Sequence, residues 1–275
     1  MADPVVEATE RDDRVLPPTR WVSLAIIPFL VVAFAVLYPW PDAGSRLFAW
    51  RIQPAITSMV LGAVYLGGAY FFARAARATQ WHTVKGGFIP VGVFATLMGV
   101  ATVVHWDRFV HHRLAFWLWA GLYFSTPFLV FWVWWRNRRH DTPGTDADLL
   151  VPLTAARVIA AFGALAAVTG GFLFLLPERA ATWWPWMPSP LTARVLGAIF
   201  CLGVAGLGAL VDRRWSSARI PFQVAGIMLG LILIAGLRSY REFEPSNPLT
   251  WLFAGGFVGL LAAMAAFYAR MRARP

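Results

Sequence analysis

Charged residues are scarce in this chain of 275 residues. Only 14% of the residues are Asp, Glu, Lys or Arg, whereas 59% are hydrophobic. A soluble domain carries about 25% charged residues, so the composition excludes a soluble, fibrous or disordered protein. The apolar residues come in runs of about 20, the length that crosses the hydrocarbon core of a bilayer. The sequence therefore predicts an all-α, polytopic membrane protein.

Cysteine and lysine are also nearly missing. The single cysteine, Cys201, excludes a disulfide within one chain and a metal site built on cysteines. Lys85 is the one lysine among 24 basic residues, and the arginines lie between the apolar runs. No basic face with interleaved stacking aromatics is present, so we expect no nucleic-acid partner.

Eight apolar segments qualify as membrane-spanning helices. Of the 24 Lys and Arg residues, 16 lie on the side that carries both termini. The positive-inside rule then predicts a multi-pass protein of the plasma (inner) membrane with cytoplasmic N- and C-termini. The predicted spans are 21–39, 53–73, 86–104, 114–135, 156–176, 194–211, 220–237 and 249–269.

An internal duplication relates the two halves of the chain. Each half contains four spans, and an even number returns the chain to its starting side. The halves are therefore predicted to be parallel repeats, related by a pseudo-twofold axis along the membrane normal. Pairs that match at an offset of 134 residues include Trp81 with Trp215, Gly92 with Gly226, Phe109 with Phe243, and Trp117 with Trp251.

The duplication gives the domain boundaries. Residues 21–136 form the first four-helix repeat and residues 153–275 the second. The polar stretch 137–152 is the expected cytoplasmic linker between them. Residues 1–20 are expected to form a disordered cytoplasmic tail, because they are polar, mixed in charge and unlike a cleavable signal peptide.

Three motifs carry a resemblance to a known family. They are WPWMPSPLTARVLGA, VVHWDRF and WLWAGLY. With them, most of the chain resembles a family of bacterial integral membrane proteins with a duplicated four-helix unit and no established activity. The resemblance implies the topology and nothing about chemistry.

The predicted spans lack Asp and Glu near their centres. Intramembrane ionisable groups are the usual mark of ion or proton coupling, so a carboxylate-driven pump or antiporter is disfavoured. Small polar side chains either line a polar path or hydrogen-bond between helices and to their own backbone. They are Thr57, Ser58, Thr96, Thr102, Ser125, Thr126, Thr169 and Gln223.

The densest polar cluster lies in two outer loops that the repeat makes equivalent. Three histidines and a carboxylate favour either a transition-metal site that activates water or a solvated loop at headgroup level, and no metal or cofactor is assigned. The repeat also aligns residues of opposite charge, so we expect Asp107 to pair with Arg241 and Arg108 with Glu242. The candidate residues are His105, Asp107, Arg108, His111, His112, Arg238, Arg241, Glu242 and Glu244.

Tryptophans concentrate on the same outer face. They act either as interfacial anchors or as the rim of an opening for an apolar or amphipathic molecule. The candidate rim consists of Trp40, Trp50, Trp183, Trp184 and Trp186.

Glycines follow one face of the second and sixth spans and favour close helix packing. They pack either between the halves or within each half. They are Gly62, Gly67, Gly68, Gly197, Gly203, Gly206 and Gly208.

The chain contains no GxSxG motif, and no spacing of serine and histidine indicates a serine hydrolase. We therefore expect a non-enzymatic membrane component, which binds or passes an apolar or amphipathic molecule or scaffolds an envelope complex. The alternative is an outer-face enzyme that uses His105, Asp107, His111 and His112. The lipid bilayer is the expected partner, together with a lipid-like ligand or a partner protein in a membrane complex.

Overall fold

The computed structural model describes residues 11–145 and 147–273. Within these ranges the chain is helical without β-strands, and eight helices are long and apolar enough to cross a membrane. The prediction of an all-α protein with eight membrane helices is confirmed. In chain order the helices are α1 (Pro17–Leu37), α2 (Pro41–Leu47), α3 (Ala55–Arg77), α4 (Lys85–Val104), α5 (Leu114–Asn137), α6 (Leu153–Leu175), α7 (Pro177–Trp183), α8 (Pro190–Val211), α9 (Trp215–Arg238) and α10 (Pro248–Arg272).

Proline begins several of these helices. Its ring fixes φ and lacks an N–H, which suits the first turn of a helix. Helices α1, α2, α7, α8 and α10 all begin in this way. Two of these starts are also capped: Ser189 accepts a hydrogen bond from the N–H of Thr192, and Asn247 accepts one from the N–H of Leu249. The short helices α2 and α7 were not predicted from the sequence.

The segment that precedes α1 is packed against the bundle. Arg14 forms an antiparallel backbone bridge with Gln80, and Val15 is buried. The buried side chain of Asn137 accepts from the N–H of Leu16 and donates to the carbonyl of Arg14. The prediction of a disordered tail is therefore wrong for residues 11–20. Residues 1–10 of that tail, and residue 146 of the expected linker, lie outside the described residues.

The two ends of the helix bundle hold different parts of the chain. Asp13 contacts His82, and Met271 packs in one cluster with Val151 and Trp215. Both described ends of the chain therefore lie at one end, here called the terminal end. The opposite end, here called the distal end, holds the α1–α3, α4–α5, α6–α8 and α9–α10 connections.

Helix contacts join the two halves of the chain through four helices. Helix α1 packs on α3, α4 on α5 and α6 on α8, whereas α3 packs on α9 and α4 on α8 across the halves. The most apolar stretch of α3 is 78% buried, and that of α10 is 0% buried. The core thus centres on α3, while α10 lies at the periphery.

Glycines let α6 and α8 approach closely. A Cβ atom on Gly170 would lie 2.6 Å from the carbonyl oxygen of Gly197, and one on Gly163 would lie 2.4 Å from that of Gly203. These contacts lie within the second half. In α3, by contrast, a Cβ on Gly67 would meet the side chain of Met228 in the other half. Close packing within a half therefore occurs, and a glycine of α3 also packs between the halves, against α9 and not against α8.

Small polar side chains within the spans bond to backbone of their own helix or to other helices. Thr96, Thr102 and Ser125 each donate to the carbonyl four residues earlier. Gln223 instead bridges helices, because it accepts from the hydroxyl of Tyr70 and donates to that of Tyr268 at 2.7 Å each. These hydrogen bonds stabilise contacts within and between helices.

Candidate functional site

A groove of about 660 Å³ lies at the distal end. Its walls are the α1–α3 connection and the start of α3 on one side, and the α9–α10 connection on the other. We call it the distal groove. It includes Arg238, Arg241 and Glu242, which the sequence analysis selected, together with Trp40.

Arg238 holds the two walls of the distal groove together. Its guanidinium donates to the carbonyl of Tyr38 at 2.9 Å and to that of Pro39 at 2.7 Å, and it lies over the Tyr38 ring. The Tyr38 hydroxyl donates in turn to the carbonyl of Leu231. The connection that leaves α1 is therefore bound to the end of α9.

Glu242 caps helix α3. Its carboxylate accepts from the N–H of Ala55 at 3.0 Å and from that of Ile56 at 2.8 Å. The first N–H groups of a helix lack partners in the helix and carry partial positive charge, which favours a carboxylate there. The carboxylate of Glu242 therefore binds the start of α3, whereas an ion pair with Arg108 was expected.

The predicted ion pairs across the halves are wrong. Within the described ranges no ion pair joins Asp107 to Arg241, or Arg108 to Glu242. Arg108 instead lies 3.3 Å from Asp107, and both side chains are exposed. Exposed neighbours of this kind add little stability.

Two exposed aromatic rings border the distal groove. Trp40 is 71% exposed and Tyr240 is 63% exposed. The guanidinium of Arg241 donates to the Tyr240 hydroxyl at 2.9 Å and also lies near its ring. The groove therefore offers an apolar aromatic edge directly beside a cation.

The carboxylates of the distal groove are placed at helix starts. Glu242 caps α3, and Asp42 lies in the first turn of α2. Partial positive charge at a helix start offsets a carboxylate. Arg238 lies in the last turn of α9, where partial negative charge favours a cation. Arg241 lies beyond the end of that helix, so it is the cation of the groove that favours an anionic group.

The histidines of the outer cluster do not converge. His105 accepts from Arg194 at 2.7 Å, whereas the ring of His111 packs against Trp106 and Phe116. His112 is exposed. Across the described ranges, no three His, Cys, Asp or Glu side chains are grouped so that they could hold a metal ion.

Glu244 lies apart from the histidines and from the distal groove. Its carboxylate accepts a hydrogen bond from the hydroxyl of Ser246 in its own turn. The side chain is exposed. Glu244 therefore stabilises the α9–α10 connection locally.

The tryptophans separate into core and surface. Trp50 and Trp186 are 3% and 2% exposed, so both belong to the core and not to a rim. Trp183 is exposed and Trp184 is half-buried. Of the five candidates, Trp40 is the one that borders the distal groove.

A charged network at the terminal end was missed by the sequence analysis. Lys85 contacts Asp141 at 2.7 Å and Asp212 at 2.8 Å, and Arg214 contacts Asp212 at 2.7 Å. Burial raises the pKa of Asp212, but hydrogen bonds from Arg214 and Lys85 outweigh burial and hold it well below the usual range. The network joins the start of α4 to the start of α9.

A chain of three side chains lies next to this network. Nδ1 of His82 is 2.5 Å from a carboxylate oxygen of Asp13, and Nε2 of His82 is 3.0 Å from the hydroxyl of Ser216. His82 and Ser216 are separated by 134 residues, the offset at which residues in the two halves of the sequence match. That offset was the signal in the sequence that could have pointed to the pair.

No protein-family model, curated protein or solved structure matches this chain.

Proposed function

We propose that the protein binds an amphipathic molecule with an anionic head in the distal groove. The observation that carries this proposal is the pairing of two guanidinium groups with an exposed aromatic edge in one groove. Arg238 and Arg241 supply the charge, and Trp40 and Tyr240 supply the apolar edge. Arginine forms strong, charge-assisted hydrogen bonds with phosphate and carboxylate groups.

The proposal includes two parallel four-helix repeats, whose interface forms the groove. Corresponding contacts in the two halves support this arrangement. The backbone bridge between Arg14 and Gln80 corresponds to one between Leu150 and Arg214.

The buried tryptophans give a second correspondence between the halves. The ring of Trp50 packs against that of Phe109 at 5.3 Å, and the ring of Trp186 packs against that of Phe243 at 5.4 Å. A third correspondence is the indole N–H of Trp117, which donates to the carbonyl of His111, as that of Trp251 does to Pro245.

The proposed orientation places both termini in the cytoplasm and the distal groove at the outer surface of the plasma membrane. Arginine enrichment at the terminal end supports it. Reporter fusions test it: a fluorescent protein that matures only in the cytoplasm is fused after Pro275 or inserted after Ser246. Fluorescence from the first fusion alone is expected, and fluorescence from the insertion alone would overturn the orientation.

Native mass spectrometry tests the binding proposal. The protein is released from nanodiscs that contain equal amounts of phosphatidylglycerol and phosphatidylethanolamine. We expect the wild type to retain phosphatidylglycerol preferentially and Arg241→Ala to lose that preference, because one of the two cations is removed. Arg241 is the informative choice, since Arg238 also holds the groove walls together.

Arg179→Ala is the matched control. Arg179 is an exposed arginine of α7 at the same end of the bundle, outside the distal groove. Its replacement should leave lipid retention unchanged. An equal preference in wild type and Arg241→Ala, or a retained protein in place of a lipid, would contradict the proposal.

A further inference from the structure

Three side chains at the terminal end have the geometry of an activated serine. His82 contacts Asp13 through Nδ1 at 2.5 Å and Ser216 through Nε2 at 3.0 Å. The second carboxylate oxygen of Asp13 accepts the backbone N–H of His82 at 2.9 Å. One carboxylate thus holds both the ring and the main chain of the histidine.

The three residues differ in how far they are exposed to solvent. Asp13 is 8% exposed and His82 is 7% exposed, whereas Ser216 is only half-buried. The orienting carboxylate and the base are therefore shielded from water, and the hydroxyl lies nearest the surface. A nucleophile that is bonded to a base, which is oriented by a third group, is the arrangement that defines nucleophilic catalysis by serine.

A histidine with only a structural role would need fewer hydrogen-bond partners than His82 has. One partner for one ring nitrogen satisfies a buried neutral imidazole, since the other nitrogen can face solvent. Here both ring nitrogens have partners, and they come from different parts of the chain. Asp13 precedes α1, His82 precedes α4, and Ser216 belongs to α9.

Ser216 also lies at a helix start. It is the second residue of α9, where partial positive charge favours a developing anion. The neighbouring cations Lys85 and Arg214 are held by Asp212, so they do not compete for the carboxylate of Asp13.

We propose that Asp13, His82 and Ser216 form a serine acyl-hydrolase site at the terminal end of the bundle. The site would act on carboxylic esters whose carbonyl lies at the membrane surface. It is independent of the distal groove, which lies at the opposite end.

The reaction has two balanced steps. In the first step, the Ser216 oxygen bonds to the acyl carbon while His82 takes the hydroxyl proton; the C–O bond to the alcohol then breaks, and the alcohol takes that proton. In the second step, water attacks the acyl-serine while His82 takes a proton from the water. The bond between the acyl carbon and the Ser216 oxygen then breaks, the proton returns to that oxygen, and a carboxylic acid leaves.

The position of Ser216 points to the substrate class. Ser216 is the second residue of α9, one of the eight helices that are long and apolar enough to cross a membrane. Ester carbonyls of glycerolipids lie in the interfacial layer between headgroups and hydrocarbon. An acyl ester of a membrane lipid would thus present its carbonyl at the depth of the hydroxyl.

An alkyl fluorophosphonate tests the proposal on the full chain in detergent or nanodiscs. We expect phosphonylation of the wild type at Ser216, located by peptide mass spectrometry, and none at that peptide in Ser216→Ala. A general base contributes about 100-fold or more, so His82→Gln should label at least 100-fold more slowly. Hydrolysis of p-nitrophenyl butyrate should decrease in parallel.

Ser125→Ala is the matched control, because its hydroxyl is exposed and bonds only to carbonyls of its own helix. It should label like the wild type. If His82→Gln fails to elute as a monodisperse protein, Asp13→Asn replaces it, and Asp13→Glu should restore part of the rate. Absence of label on wild-type Ser216, or equal labelling without the base, would overturn the proposal.

Discussion

Arg194 donates a 2.7 Å hydrogen bond to Nε2 of His105 and so joins the start of α8 to the end of α4. The bond requires a neutral imidazole, since Nε2 must accept. Burial lowers the pKa of His105, and the positive charge of Arg194 lowers it further. The pair is a contact between the halves that depends on pH.

Acidification should weaken this contact. Because the pKa of His105 in the folded protein lies below its ordinary value of 6.5, its contribution to stability is present above pH 6.5 and lost as the pH falls through the folded pKa. Thermal unfolding followed by tryptophan fluorescence should show a smaller decrease between pH 7.5 and 5 in His105→Gln, which keeps an acceptor at every pH. An identical pH profile in both proteins would contradict the prediction.

A pair of adjacent glycines tests the close approach of α6 and α8. A Cβ on Gly170 would lie 2.6 Å from the carbonyl oxygen of Gly197, whereas a Cβ on Gly171 has no atom within 4 Å. Gly170→Ala should decrease the free energy of unfolding by about 1–3 kcal/mol, because the helices must separate. Gly171→Ala should be neutral or slightly stabilising. Unfolding in mixed detergent micelles gives both values, and equal effects would show that the helices do not touch there.

Two glutamates of one connection test the cap on α3. Glu242→Ala removes the acceptor for the N–H groups of Ala55 and Ile56. The expected loss is about 0.5–2 kcal/mol, the range for removal of a helix cap. Glu244→Ala is the control, since that exposed carboxylate bonds only within its own turn to Ser246. Thermal unfolding should separate the two variants, and a similar midpoint for both would argue against the cap.

The carboxylate of Asp212 should stabilise the folded protein at neutral pH. Asp212→Asn removes the negative charge that Lys85 and Arg214 share, so a loss of about 1–3 kcal/mol is expected. Because the pKa of Asp212 is lowered from 3.8, its contribution is present above that pH and lost as the pH falls further. Glu178→Gln, which replaces an exposed carboxylate on α7, should leave the stability at pH 7 unchanged. A wild-type unfolding midpoint matched by Asp212→Asn at pH 7 would refute this role.

Hydropathy was sufficient to predict the spans, because a bilayer requires apolar runs of a set length. Hydropathy also predicted the ends of the spans to within a few residues. For example, the first span was predicted to begin at residue 21, and α1 begins at Pro17. The segment before α1 could not be read in this way. Asp13 and Val15 look like parts of a polar tail, and their order comes from contacts with residues far along the chain.

The contacts of the side chains in the candidate site could not be predicted from the hydropathy pattern, because they depend on which residues meet in the folded chain. Glu242 and Arg108 align in the repeat with opposite charges, which suggested an ion pair. The start of α3 provided a better partner for the carboxylate than an exposed arginine could. Trp50 and Trp40 look equivalent in the sequence, although one is buried and the other borders the distal groove.

The meeting of His82 with Ser216 would not be available to two identical four-helix units. An identical pair would place the same residue on both sides of its axis, as two histidines or two serines. Under the proposed parallel repeat, one chain that carries both units can hold a different residue at each position, so a base and a nucleophile can face each other.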